Sequence, residues 1–328
     1  MSKKTRLVSL IDKLKANGWE PGLTAGWDDE DKERIYKIIA NVHMKDSNRP
    51  LAAVAIELLS KNAPDTVRGV MYSVVSAGWL PDTSKKSYGQ IQRLLNALRK
   101  KEVIPFDWIV DNIREMEKPS SWTGLADFAD TVSESYRKDL WASLRDYVAI
   151  IVEKDTVAGR IAPVTQEYDV PLYPLRGYSS TSFVWNIARD WKKIKKPIHV
   201  YYVGDHDPSG RDIERSVIAS LKEYGRDDFH WKRLGVNPDQ FRQYNMIPLA
   251  AKKQDKRYKK FVDEFGEKCA EVEAIPAADL RGLVQDAIES HIPQDTWNRL
   301  KEIEQEERAQ WQKIMKQLDP SRPEGEAA

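Results

Sequence analysis

Residues 198–210 read IHVYYVGDHDPSG. Ile198 to Val203 are β-branched and aromatic apart from one histidine, the composition of a buried strand. The strand signal stops at Gly204, and Asp205, His206, Asp207, Pro208, Ser209 and Gly210 form an acidic turn. Beyond it, Ile213, Val217, Ile218 and Leu221 recur at helical spacing within residues 211–224. The unit is strand, acidic turn, helix, and in open α/β sheets ligand chemistry collects at the carboxyl ends of the strands. Two carboxylates one residue apart raise each other's pKa unless a cation lies between them. A divalent ion with hard oxygen ligands, Mg²⁺, resolves that cost. The same residues also make an ordinary helix N-cap, so the stretch by itself leaves both readings open.

Working outward, Tyr147 to Val152 (YVAIIV) is a second buried strand, and it ends in Glu153-Lys154-Asp155. A helix follows over roughly 157–168, then a strand over 170–175, a hydroxyl-rich turn at 179–182 and a helix over 183–193. Alternating strands and helices across 147–250 imply a mostly parallel sheet with helices on both faces. With Glu153 and Asp-x-Asp at neighbouring strand ends, three carboxylates meet at one sheet edge. That is a Mg²⁺ site suited to phosphodiester chemistry, in which the ion stabilises a phosphoryl oxygen or the leaving 3′-oxygen. Taken alone, Glu153 also reads as the ion-pair partner of Lys154.

The chain has 328 residues, which suggests two domains plus appendages. Lys+Arg 52 against Asp+Glu 51 nearly cancel, and 41% hydrophobic residues support packed cores. The one cysteine, Cys269, excludes a disulfide framework and a cysteine-based zinc cluster. The opening MSKKTRLVSL lacks the apolar centre of a signal peptide, and no run of 18 or more apolar residues occurs. A soluble cytoplasmic protein is the expectation.

Residues 1–50 carry two amphipathic patterns, read as accessory helices. Residues 51–115 carry a helix over 51–60, a second over 66–77 with Asp65 as N-cap, and a basic helix. In that basic stretch Lys85, Lys86, Arg93, Arg99 and Lys100 surround Ile91, Leu94, Leu95 and Leu98, with no acidic residue from 84 to 101. An apolar turn or short strand at 103–108 follows as a wing. Helix, turn, basic helix and wing make a winged helix, with those five cations as DNA-binding residues on phosphates. A solvated basic face is the plainer alternative. Residues 116–146 form a connector, 147–285 the metal-binding sheet domain, and 286–328 a C-terminal helix to about Leu318 with a disordered tail.

A Glu after one strand and GDHDPSG after another resemble the Toprim domain, which is a Rossmann-like parallel sheet. Toprim preceded by a CAP-like winged helix resembles the A subunit of topoisomerase VI and the related meiotic double-strand-break transesterase. The likeness is greatest to stand-alone phage- or bacterium-associated proteins of this type. Val67 to Ser73 (VRGVMYS) stands where that family has its nucleophile motif, an Arg four residues before a catalytic Tyr. VIPFDWIVDNIR (103–114) resembles the segment after the DNA-binding helix, and EVEAI (271–275) a short acidic motif after the Toprim core. Gly69 stands where the family more often carries a polar or acidic residue, and Met71 replaces an aromatic. The resemblance spans roughly 60–285.

The resemblance implies Tyr72 as nucleophile, Arg68 as its electrostatic support, and Glu153, Asp205 and Asp207 as Mg²⁺ ligands. It implies double-stranded DNA as substrate, a 5′-phosphotyrosyl product and a homodimer in which one subunit's Tyr meets the other's carboxylates. Nucleoid association follows from the substrate. On a helix Arg68 and Tyr72 share one face. A phenol with a pKa of about 10 is a poor nucleophile, and a neighbouring guanidinium favours the phenolate and can hold a phosphate. Neither a GxxxxGK loop nor an Asp-x-Gly-x-Gly turn occurs, so ATP-gated strand passage would need a separate B-type ATPase subunit. Two further readings stand beside this one. The first is a Toprim nuclease that uses water, with Tyr72 a core residue. The second is a non-catalytic DNA-binding protein on a Toprim scaffold.

Overall fold

The computed structural model describes residues 48–109, 120–177 and 181–318, together with Ile39, Val42, Met44 and Lys45. Most of the accessory segment 1–50 and the expected tail lie outside the described residues.

Three helices come first: α1 (Arg49–Asn62), α2 (Val67–Ser76) and α3 (Lys85–Lys100). Thr66, not the expected Asp65, caps α2: its Oγ1 accepts the Gly69 N–H at 3.0 Å. Asp65 is drawn away because its buried carboxylate pairs with Arg160 at 2.8 Å. Ser84 caps α3, whose Ile91, Leu94, Leu95 and Leu98 are buried as the spacing requires. The expected wing is a short 3₁₀ turn, Phe106–Trp108, followed by one parallel bridge between Asp65 and Ile109. α4 (Leu125–Ser135) and a 3₁₀ turn at Leu140–Ser143 lead into the sheet.

The sheet holds β1 (Tyr147–Val152), β2 (Leu172–Pro174), β3 (Ile198–Val203) and β4 (His230–Gly235), all parallel, in the order β2-β1-β3-β4. The connecting helices are α5 (Asp155–Glu167), α6 (Thr181–Trp191) and α7 (Pro208–Tyr224). β1 and β3 are almost wholly buried, as central parallel strands covered on both faces must be. Ala149, Ile151, Val200 and Tyr202 face α6 and α7. β4 carries the charged alternation His-Trp-Lys-Arg and is half-exposed, and so it gives no apolar run in the sequence.

The remaining elements are α8 (Gln240–Gln243), β5 (Leu249–Ala250), α9 (Tyr258–Phe265), β6 (Lys268–Cys269), α10 (Ala277–Glu289) and α11 (Gln294–Leu318). β5 and β6 form a separate antiparallel pair. The second face of the main sheet shares one apolar cluster with the N-terminal helices, running through Leu59, Tyr72, Ile104, Ile150 and Leu280. Polar bonds close the same junction. Arg281 donates to the carbonyls of Asn62, Ala63 and Pro64 at 2.9, 3.1 and 3.1 Å. No described helix is long and apolar enough to cross a membrane.

Candidate active site

β1 and β3 run in register from Tyr147/Ile198 to Val152/Val203 and end level. Their next residues therefore meet: the Asp205 N–H donates to Glu153 Oε2 at 2.8 Å. Both carboxylates are buried. Gly210 makes the tight turn possible, since a Cβ there would stand 2.5 Å from the Asp205 carbonyl and 3.0 Å from Glu153 Oε2. From β4, Arg233 donates to the Gly204 carbonyl at 2.6 Å and to that of Asp205, and pairs with Glu214 at 2.5 Å. His206 points into Phe241, Phe261 and Phe265. Burial, reinforced by Arg211 and Arg233, pushes its pKa down to about 3, so it is a neutral anchor. Asp207 Oδ1 accepts the Gly210 N–H at 2.7 Å and caps α7, so the N-cap reading holds for this carboxylate.

A lysine completes the cluster. Lys154 Nζ lies 2.7 Å from Asp205 Oδ2 and 3.5 Å from Glu273 Oε2. The sequence offered it to Glu153, yet its close contacts are with Asp205 and Glu273. Asp205 Oδ1 also accepts the Val272 N–H at 3.0 Å, and Thr156 donates to Glu273 at 3.2 Å. Burial raises the Glu153 pKa against the opposing pull of the Asp205 N–H and Lys154. Burial likewise raises that of Asp205; Lys154 opposes it, and Glu273 and Glu153 add to it. Two buried, oxygen-only carboxylates whose charged forms are disfavoured fit a hard divalent ion. Mg²⁺ would join or displace the Lys154 ammonium there. The contacts in the turn are pairwise, Glu153 with Asp205 and Asp207 with its own helix.

Arg68 and Tyr72 lie on α2, which packs on the 3₁₀ turn Val272–Ala274. Arg68 Nη1 reaches the Glu271 carboxylate at 2.8 and 3.0 Å. Tyr72 is buried. Burial pushes its phenol well above the ordinary value, and Glu271 and Glu273 add to that, against the weaker pull of Arg68 and Lys154. The expected preference for phenolate is therefore reversed in this arrangement. Arg68 does act in the expected direction, but a carboxylate already neutralises it. Gly69 has a local reason: a Cβ there would lie 2.1 Å from Asp65 Oδ1. One chain thus brings Tyr72 into the electrostatic field of Lys154, Glu271 and Glu273.

On α3, Lys85, Lys86, Arg93 and Lys100 are exposed. Arg99 is half-buried, donating to Asn96 at 2.8 Å with its guanidinium 5.4 Å from the centre of the exposed Phe106 ring. The face is basic with an aromatic at its end.

Sequence reasoning missed the roles of Arg233, Glu271 and Glu273 and gave Lys154 the wrong partner. The local signals were the adjacency of Glu153 and Lys154 and the acidic EVEAI run at 271–275. A second group emerged that no local motif announced. Asp146, His199 and His291 place their ligand atoms within 4.8 Å of one another and could hold a metal ion. No protein-family model matches the chain, and no curated protein matches it.

Proposed function

We propose that this chain is a Mg²⁺-dependent DNA-cleaving transesterase resembling the A subunit of topoisomerase VI. In this reading α1–α3 serve as a winged-helix-type DNA-binding part and the parallel sheet as a Toprim-type domain. One observation carries the reading. Two buried carboxylates stand at adjacent parallel strand ends, where the Asp205 backbone N–H donates to Glu153 Oε2 at 2.8 Å, and the same charge cluster reaches the helix that bears Arg68 and Tyr72.

In the reaction the Tyr72 oxygen attacks a backbone phosphorus. The bond from phosphorus to the 3′-oxygen breaks, a 5′-phosphotyrosyl bond forms, and the phenol proton ends on the released 3′-hydroxyl. Bound Mg²⁺ supplies charge stabilisation at the phosphoryl and leaving oxygens. Arg68 turns from Glu271 to the incoming phosphate, which its fork matches equally well. The exposed cations of α3 hold flanking phosphates. Lys154 keeps the surroundings of Asp205 neutral before the ion and DNA arrive. Double-strand cleavage needs two tyrosines, hence two copies of the chain.

The test is direct. Supercoiled DNA is incubated with the protein and Mg²⁺, the protein is denatured, and DNA covalently attached to it is measured. An adduct is expected that EDTA prevents and that Asp205→Ala together with Asp207→Ala removes. Adduct formation indifferent to both would defeat the metal assignment.

The Arg68–Glu271 pair gives a second expectation. Glu271→Gln frees the guanidinium and removes a carboxylate that raises the phenol. A change on the order of 1 kcal/mol in the barrier corresponds to roughly fivefold more adduct per unit time. A slower rate in this variant would show that Glu271 assists the reaction.

The hydrolytic nuclease remains the second reading, favoured by the burial of Tyr72 and the upward displacement of its pKa.

A further inference from the structure

The amino end of the sheet, opposite the acidic turn, carries a different constellation. Asp146 immediately precedes β1, and His199 is the second residue of β3. The register pairs Val148 with His199, and side chains two apart along a strand share a face. Asp146 and His199 are therefore diagonal neighbours on the face that α10 covers. The turn after α10 brings His291 down onto them. His291 Nδ1 lies 2.8 Å from Asp146 Oδ2, and His199 Nε2 lies 3.7 Å from Asp146 Oδ1.

A simple hydrogen-bonded corner leaves two features unexplained. Asp146 Oδ1 is buried with no hydrogen-bond partner among the described residues, a costly state for a carboxylate oxygen. A second imidazole also stands beside it without bonding to it. The far side of His291 is fixed, because Nε2 meets the Tyr201 hydroxyl at 2.7 Å. With the proton on Nε2, the Nδ1 lone pair points toward Asp146. Such outer contacts set the tautomer of metal-binding histidines.

We propose that Asp146, His199 and His291 form a metal site of their own that takes Zn²⁺ or a similar borderline divalent ion. Ligand atoms within 4.8 Å of one another need only a modest contraction to reach metal–ligand bonds of about 2.0–2.2 Å. Two imidazoles and one carboxylate select zinc over Mg²⁺, which prefers oxygen alone. The ion takes the place at Nδ1 of a proton otherwise donated to Asp146, and that proton passes to Nε2, where the Tyr201 hydroxyl accepts it. A fourth position stays open to water. His230 stacks on His199 with ring centres 4.6 Å apart and is not a ligand. The site pins the turn between α10 and α11 to the sheet edge and is separate from the proposed chemistry at the acidic turn.

The test uses the full untagged chain, stripped with EDTA and dialysed, then titrated calorimetrically with ZnCl₂ in excess Mg²⁺. One Zn²⁺ per chain is expected, and Co²⁺ in its place should give the visible absorption of a four-coordinate ion. His199→Ala and His291→Ala should each weaken binding by at least about 100-fold, and Tyr201→Phe by about 10-fold. His230→Ala should leave binding unchanged. His199 is half-buried, so His199→Gln, which keeps much of the side-chain bulk, serves as a second variant whose fold is checked by circular dichroism. Absence of stoichiometric zinc binding overturns the proposal. So does binding that survives both His199 variants, or binding lost instead in Asp205→Ala.

Discussion

Tyr72→Phe is expected to erase the covalent protein–DNA adduct, by about 10³-fold or more, while leaving the fold intact. The substitution removes one oxygen, and that oxygen is the proposed nucleophile, for which no neighbouring side chain substitutes. The ring stays in the apolar cluster it shares with α1 and the sheet, so stability should change by no more than about 1 kcal/mol. Detergent-denatured reactions on labelled supercoiled DNA read the first quantity, and a urea midpoint reads the second. Cleavage that continues in Tyr72→Phe without an adduct would transfer the chemistry to water and make the nuclease the correct reading. An adduct that persists would mean a different nucleophile.

The largest stability effect is expected from Arg160→Met. Arg160 and Asp65 are both essentially inaccessible, at 0% and 1% exposure, and meet at 2.8 Å. Arg160 also donates to the Ile275 carbonyl at 2.6 Å, so it ties the start of α2 to the segment behind the acidic turn. Removing one partner of such a pair strands a buried charge, at a cost of about 3–5 kcal/mol. The pH dependence follows from Asp65, whose pKa is raised by burial even with Arg160 present. A carboxylate with a raised folded-state pKa is less destabilising as pH falls, because the folded form then binds the proton. The variant should therefore lose most stability at neutral pH and recover part of it in acid. Adding Asp65→Leu should restore much of the loss, since an apolar pair can replace a buried ion pair. Urea midpoints at pH 7 and pH 5 check both points. A loss below about 1 kcal/mol at pH 7 would contradict the account.

The parts of this fold that were legible in the sequence are those whose cause is local. β1 and β3 are continuous apolar runs, and both appear with the bounds their composition implies. The apolar stripe of α3 is buried where its spacing places it. What stayed hidden depends on partners far along the chain. Asp65 looked like a helix cap and is instead claimed by Arg160, leaving the role to Thr66. Lys154 sits next to Glu153 but answers to Asp205 and Glu273, which are 51 and 119 residues further on. Gly69 stood out as a departure from the family's usual polar or acidic residue and is required by the carboxylate of Asp65. The segment expected as a wing forms a 3₁₀ turn, and the one strand-like pairing beside it is the bridge of Ile109 to the distant Asp65. Asp146, His199 and His291 have no common motif, and only the register of two strands and one helix turn unites them.

The Lys154 contact with Asp205 has a consequence for the life history of the molecule. In the proposed reading the protein cuts DNA, an activity that is hazardous between synthesis and deployment. Here the counter-charge at the acidic turn is carried on the polypeptide, so folding need not wait for an ion. Arg68, proposed to hold a phosphate, is likewise already occupied by Glu271. In the proposed reading the chain matures with both halves of its chemistry safely muzzled, and only DNA and Mg²⁺ arriving together arm it.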